Sequence, residues 1–264
     1  MKIGFIGSGN MATALLKGFV ASEVLASSDI WISDKSPENL EKWSGTEVNT
    51  TLSNIDVCKN SDIIICAVKP NILPLVLNEI KNDIKGKTLV SIAAGVSLKT
   101  MEELLGDSKI VRAMPNTPAQ VGCGTTVLSP NKNVSAEDAD CVRHLFSSVG
   151  SAIILEEKFI NAATALHGSS PAYVYMLIDA MADSGVKHGI PKNISLELAA
   201  KAVEGAAKMV LETKKHPGEL KDAVCSPGGT TIAAVLELEK GGFTSTVSQA
   251  IDACVKKADE MSQK

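Results

Sequence analysis

The sequence predicts an α/β half, built on a doubly wound and mainly parallel sheet, followed by an all-α half. Three observations carry this. Short runs of apolar, often β-branched residues alternate with helical patterns through residues 1–157. Those runs are apolar at successive positions, as strands covered on both faces are. Beyond Glu157 the strand signal stops and only helical periodicity continues. The chain therefore divides into residues 1–157 and 158–264.

KIGFI (2–6) is the first buried strand and 11–21 the first helix. DIWIS (29–33) is the second strand, and a helical stretch over 37–43 leads to a short strand near Glu47. Residues 53–59 form a short helix. DIIICAV (62–68) is a strongly apolar strand, followed by a helix over 72–84. TLVSIA (88–93) and KIVRAM (109–114) are strands flanking a helix over 98–105. TTVLS (125–129) and SAIILE (151–156) flank a helix over 136–149 and extend the sheet by a strand or two. The second half is punctuated at HGSSP, HGIP, KKHPG, SPGG and KGG. In its last helix Val247, Ile251, Cys254, Ala258 and Met261 form one apolar stripe of a packed helix. Residues 196–211 are rich in alanine, with small or apolar side chains on more than one side. Such a helix is buried from several directions, within the domain or against a second subunit. We read a homodimer through this half.

A hydrophobic fraction of 45% and a charged fraction of 21% are those of a soluble globular protein. Aromatics make up only 3%, so the core has to be built from Ile, Val, Leu, Ala and Met. A net charge of −4 argues against a general nucleic-acid binder. The run Ile63–Val68 is far too short to span a bilayer. MKIGFIGSGN enters a structured motif at once and leaves no room for a signal peptide. Six scattered cysteines form no CxxC pair and no His/Cys ligand set. They read as reduced thiols of a cytoplasmic protein, with no metal site.

Gly7, Gly9 and Ala12 make GxGxxA between the first strand and the first helix. The first glycine allows the tight turn, the second lets backbone approach a pyrophosphate, and the small alanine lets helix and strand pack closely. At this position the motif points to a Rossmann-like dinucleotide site. Asp34, at the end of the second strand, is placed to bond the ribose hydroxyls of NAD and to repel the extra phosphate of NADP. Ser33, Lys35 and Ser36 around it are phosphate-binding types, so the contest stays open. AVKPN (67–71), AAGVS (93–97) and RAMPNTP (112–118) follow later strands, at the sheet end where such folds bind ligands.

SPGGTT (226–231) stands at the mouth of a helix. Ser226 suits an N-cap and Pro227 the first helical position, while the glycines leave the N–H groups of Gly228, Gly229 and Thr230 uncovered. A capped helix after a turn and an anion site both fit. Of the four histidines, His144, His188 and His216 read as structural or exposed, and His167 as packing. Lys201 and Lys208 read as surface charge. GSSPA is no nucleophile elbow, since no strand precedes it. A dinucleotide site without a strong acid–base pair suits reduction of a protonated C=N, where hydride neutralises an iminium and positioning does most of the catalysis.

MKIGFIGSGNMATALLKG, AVKP, SIAAGVSL, RAMPNTPA, GSSPAYVYMLIDAMAD and AVCSPGGTTIAAV together resemble the pyrroline-5-carboxylate reductase family, over essentially the whole chain. The resemblance implies reduction of 1-pyrroline-5-carboxylate to L-proline with NADPH or NADH, the last step of proline biosynthesis. It implies an all-α dimerisation domain, dimers that assemble into decamers in some members, and an active site between one subunit's nucleotide domain and helices of the dimer. It also implies site residues. Ser226, Gly228, Gly229 and Thr230 would hold the substrate carboxylate, and Thr231 would contact the ring nitrogen as the catalytic residue. Ile6, Gly7, Ser8, Gly9, Asn10 and Met11 match the pyrophosphate loop, with Asp34 and Lys35 beyond it, and Asn54 matches a ribose contact. Ala67, Val68, Lys69 and Pro70 match a cofactor strip. Ala93, Ala94, Gly95, Met114, Pro115 and Asn116 match the nicotinamide surroundings. Asp34-Lys35 departs from the small, uncharged or basic residues of many members. Three rival readings stand beside this one: a β-hydroxyacid dehydrogenase using a helix lysine, a nucleotide sensor without turnover, and a reductase of a six-membered cyclic imine.

Overall fold

A computed structural model describes residues 1–262. The chain forms two compact units, one of Met1–Ser169 with the chain from Cys254 onward, the other of Ser170–Ala253.

The first unit is an eight-stranded sheet. In chain order its elements are β1 (Ile3–Ile6), α1 (Asn10–Ala21), β2 (Ile30–Ser33), α2 (Pro37–Glu41), β3 (Asn49–Thr51), α3 (Asn54–Lys59) and β4 (Ile63–Cys66). They continue with α4 (Leu73–Ile80), β5 (Thr88–Ser91), α5 (Leu98–Leu105), β6 (Lys109–Met114), β7 (Gly124–Pro130), α6 (Ala136–Ser147) and β8 (Gly150–Ile154). The strand order is β3-β2-β1-β4-β5-β6-β7-β8. Every neighbouring pair is parallel except β6 and β7. The order reverses between β1 and β4, which opens a crevice at their carboxyl ends.

Strand period two sends alternate side chains to opposite faces. Ile63 and Ile65 join one core, around Leu15, Ile32 and Phe146. Ile64 and Cys66 join the other, around Val57, Leu77 and Leu89. Full burial of such side chains contributes about 1.5–3 kcal/mol each. The first core is not purely aliphatic. Phe5, Phe19 and Phe146 are fully buried at its centre, with ring centroids 6.2 and 5.7 Å apart along the series. A low aromatic count does not keep aromatics out of the middle.

Two sequence-read boundaries move. The third strand lies at Asn49–Thr51, where it pairs with β2, and not at Glu47. The helix expected over 72–84 stops at Ile80. Ile84 is buried all the same, so the apolar pattern that reached it records burial beyond the helix end.

After β8 come α7 (Ile160–Ala163) and one π-helical turn (Thr164–Gly168). The Ser169 N–H donates to the Thr164 carbonyl, 2.9 Å away, which is the widened spacing of that turn. The expected break at HGSSP is therefore a change of helical pitch, with α8 (Ser170–Lys187) following almost at once.

The second unit holds α8, α9 (Lys192–Thr213), α10 (Pro217–Val224), α11 (Thr230–Lys240) and the first turns of α12 (Phe243–Ser262). Gly185 lets α8 and α9 meet closely, since a Cβ there would lie 2.5 Å from the Ser195 hydroxyl. Ala182, Ser195 and Ala199 are the residues of this unit that are buried. Tyr175, Met176, Leu198, Leu211 and Leu236 are each more than half exposed.

Candidate active site

The loop between β1 and α1 lies at the sheet crevice. Gly7 has φ +95°, and a Cβ there would come within 2.7 Å of the Ala67 carbonyl oxygen. Its N–H donates to the Ser33 carbonyl at 2.8 Å. Gly9 is the N-cap of α1 and provides no side-chain cap. A Cβ on Gly9 would meet nothing within 4 Å. Uncapped N–H groups at an open helix mouth make an anion site.

A cavity of about 310 Å³ adjoins this loop. Ile6, Gly7, Ser8, Gly9, Asp34, Lys35, Asn54, Ala67, Val68 and Lys69 line it, so four separate stretches of sequence converge there. Pro70 follows directly in the chain. Asn10 and Met11 open α1, and Asn10 borders a neighbouring concavity with Thr13, Lys17 and Gln120. Asn54 is buried, accepts from the Ser33 hydroxyl at 2.7 Å and donates to Glu79 at 2.9 Å.

Asp34 is the most heavily bonded of these side chains. Its Oδ2 accepts from the Ser8 N–H and the Ser8 hydroxyl, both at 2.9 Å. Its Oδ1 accepts from the Ser36 N–H at 3.1 Å and the Asn39 amide at 3.0 Å. Burial opposes ionisation here, but these hydrogen bonds outweigh it and hold the carboxyl below its ordinary value. Lys42 reaches across to bond the Ser8 carbonyl and the Thr13 hydroxyl. Burial lowers its pKa, and Asp34 partly offsets that shift.

A second cavity, of about 250 Å³, brings Ala94, Gly95 and Met114 together with Asn161, Thr164, Ser169 and four residues of α12, namely Cys254, Lys257, Ala258 and Met261. Ala93, Pro115 and Asn116 are buried. Asn116 donates to the His167 carbonyl at 2.9 Å and accepts from the Thr125 N–H at 2.8 Å. The His167 ring lies between two carbonyl oxygens, those of Ala163 at 2.6 Å and Met114 at 2.8 Å. His167 thus clamps the end of β6 to the π-helical turn. Beneath, Arg112 is 3% exposed and pairs with Glu157 at 2.9 Å. The same carboxylate oxygen accepts the Leu98 N–H at the start of α5.

In the helical unit, SPGGTT forms a turn and then a helix mouth. The Gly229 N–H donates to the Ser226 carbonyl at 3.0 Å, and Gly228 has φ +67°. Proline followed by a positive-φ glycine inside such a bond is the pattern of a type II turn. Gly229, not Ser226, is the N-cap of α11, and no side chain caps that end. Ser226 as cap, Pro227 as first helical residue and a free Gly229 N–H are therefore corrected. The turn uses that N–H, and the helix starts at Thr230. The first bond inside α11 runs from Ala233 N–H to the Gly229 carbonyl, so the N–H groups of Thr230 and Thr231 precede the ladder. Ser226, Gly228, Thr230 and Thr231 are exposed, and Gly229 is half-buried.

Residues 157–261 match the family described as pyrroline-5-carboxylate reductase dimerisation. Residues 2–95 match that described as NADP oxidoreductase, coenzyme F420-dependent. The chain is 46% identical to the pyrroline-5-carboxylate reductase of Escherichia coli, over 99% of this chain and 98% of that one. It is 43% identical to the Pisum sativum enzyme of the same name, over 98% and 96%. The chain belongs to the pyrroline-5-carboxylate reductase family. The family's Plasmodium falciparum member, solved with NADP bound, superposes with a TM-score of 0.89 at 36% identity over 99% of this chain and 98% of that one. The Coxiella burnetii member gives 0.93 at 34%, over 100% and 99%.

Some site features escape a sequence reading. Asn39, Ile72 and Val76 complete the first cavity, and Asn39 holds Asp34. Their only sequence signal was helical patterning. Cys254, Ala258 and Met261 were legible as an apolar stripe, but not as the wall opposite Ala94 and Gly95. Lys201 and Lys208 both pair with Glu204 on the exposed surface, as surface charge does. Among the described residues no group of three or more His, Cys, Asp or Glu is arranged to hold a metal. No described helix is long and apolar enough to cross a membrane.

Proposed function

We propose that this reductase converts 1-pyrroline-5-carboxylate to L-proline by hydride transfer from NADH or NADPH to the imine carbon, the last step of proline biosynthesis. The observation that carries the reading is the end-to-end likeness to pyrroline-5-carboxylate reductases, 46% identity over 99% of the chain. The residues present fit such a coenzyme. Bare backbone at Gly9 leaves room for a pyrophosphate beside the uncapped N-terminus of α1. Ile6, Gly7, Ser8, Asn10 and Met11 shape that loop. Asn54, Ala67, Val68, Lys69 and Pro70 flank the adenosine side. Ala93, Ala94, Gly95, Met114, Pro115 and Asn116 form the nicotinamide surroundings. The functional division falls between residues 157 and 158.

The bound coenzyme supplies hydride. The chain's task is to bind and orient the imine. The Ser226 hydroxyl and the N–H groups of Thr230 and Thr231 hold the substrate carboxylate at the α11 mouth, where the helix dipole favours an anion. Gly228 and Gly229 keep that approach free of side chains. Thr231 accepts a hydrogen bond from the ring N–H and orients the protonated imine, so no separate acid is needed at carbon. The exposed apolar face of the helical unit supports a homodimer, and sedimentation tests for the decamer of dimers that the resemblance implies for some members. Six free thiols suit a cytoplasmic setting.

The test follows absorbance of NADH and NADPH with and without pyrroline-5-carboxylate. Substrate-dependent oxidation yielding proline is expected. No oxidation by folded, coenzyme-binding protein would overturn the reading. Thr231→Ala is expected to lower turnover at saturating substrate about tenfold or more while leaving coenzyme affinity intact. Unchanged turnover would remove Thr231 from the mechanism.

A further inference from the structure

We propose that Asp34 makes this enzyme select NADH over NADPH, and that it acts through its fixed charge and not by bonding the ribose. The proposal rests on the reductase reading above and extends it to the coenzyme.

The sequence set one acid against three phosphate-binding neighbours. The structure removes two of the three. Ser33 is fully buried, with its hydroxyl on Asn54. The Ser36 hydroxyl is bonded to Glu38, and its N–H to Asp34 itself. Lys42, a further cation nearby, is held by the Ser8 carbonyl and Thr13. Lys35 remains on the cavity wall, exposed, with no bonded partner among the described residues.

An ionised carboxylate offers about four lone-pair sites. Four donors converge on Asp34: the N–H and hydroxyl of Ser8, the Ser36 N–H and the Asn39 amide. The Ser8 hydroxyl also lies 3.2 Å from the Asn39 carbonyl, but its proton has the shorter path to Asp34 at 2.9 Å. Asp34 therefore cannot accept a ribose hydroxyl without giving up a bond that shapes the phosphate loop. Its charge persists on the cavity wall, tied at four points. A 2′-phosphate placed there meets that fixed charge, countered by Lys35 on a flexible, solvated stem, whose attraction is screened, and by Lys42, whose ammonium is already bonded to Ser8 and Thr13.

The test is calorimetric titration with NAD⁺ and NADP⁺, alongside kcat/KM for NADH and NADPH, on the full-length enzyme and on Asp34→Asn, Asp34→Ser and Lys35→Ala. The unaltered enzyme is expected to favour NAD(H) about tenfold or more, with the gap narrowing as salt rises. Asp34→Asn and Asp34→Ser are expected to close the gap about tenfold by tightening NADP⁺, and any loss from loosening the Ser8 loop is expected to fall on both coenzymes alike. Lys35→Ala is expected to leave the ratio nearly unchanged. Equal or better binding of NADP⁺ by the unaltered enzyme would overturn the proposal alone. So would Asp34 variants that lose NAD⁺ affinity without gaining NADP⁺, the mark of a ribose ligand, or that weaken both equally. Failure of the unaltered enzyme to bind either coenzyme would sink the reductase reading and this proposal with it.

Discussion

The two compact units solve the problem of burying apolar surface in opposite ways. The nucleotide unit covers both faces of its sheet and completes two cores within itself. The helical unit buries Ala182, Ser195 and Ala199 and leaves Tyr175, Met176 and Leu198 largely exposed. A unit so poor in internal core cannot offset its own ordering entropy. Its alanine-rich α9 and apolar surface instead suit a face shared with another copy, in keeping with the dimerisation family it matches. One unit is a closed domain, and the other leaves its apolar faces open in a stretch that matches a dimerisation family.

The units nevertheless share one device. The N-termini of α3, α5 and α6 are closed by Ser53, Ser97 and Ser135, each accepting a backbone N–H. Those of α1 and α11 are led by Gly9 and Gly229 and have no side-chain cap. A serine cap stabilises a helix by about 1 kcal/mol. Leaving it off at two glycine-led mouths keeps N–H groups open to an anion.

The largest effect expected in the closed unit comes from its buried ion pair. Glu157→Ala strands Arg112, whose Nε and Nη2 already lack partners, and also frees the Leu98 N–H. Chemical denaturation should show a loss of about 3 kcal/mol, and an unchanged midpoint would break the picture of a tightly determined core. Next come the two glycines of the loop. Gly7→Ala faces both a positive φ and the Ala67 carbonyl, and should destabilise by about 2 kcal/mol or more. Gly9→Ala meets open space, so its melting temperature should hold while coenzyme affinity falls about tenfold. If both variants melted alike and bound alike, the split between a glycine for folding and a glycine for binding would fail. The smallest effect lies in the helical unit. Lys192 bonds Asp179 and Asp183 entirely on the surface, and Lys192→Ala should leave the denaturation midpoint unmoved. A shift comparable to that of Glu157→Ala would mean that α8 and α9 depend on surface charge.

Much of this was legible in the chain. Alternation of apolar runs with helices determined a doubly wound sheet, because only strands covered on both faces can be apolar at successive positions. GSGNMA determined the tight turn at its first glycine, because few residues other than glycine tolerate that backbone. SPGGTT determined an open helix mouth, though its cap is Gly229 and not Ser226, because the proline–glycine turn takes up the residues that a serine cap would have used. Tertiary structure alone decided which distant residues meet. Nothing in the sequence around Asp34 showed that Ser8 and Asn39 would bond its carboxylate. Cys254 and Met261 could be read as core until α12 was found facing Gly95. Local periodicity and turn chemistry act over a few residues and can be read directly from the sequence. Hydrogen-bond saturation and shared walls depend on chain segments brought together from far apart, and those exist only once the chain has folded.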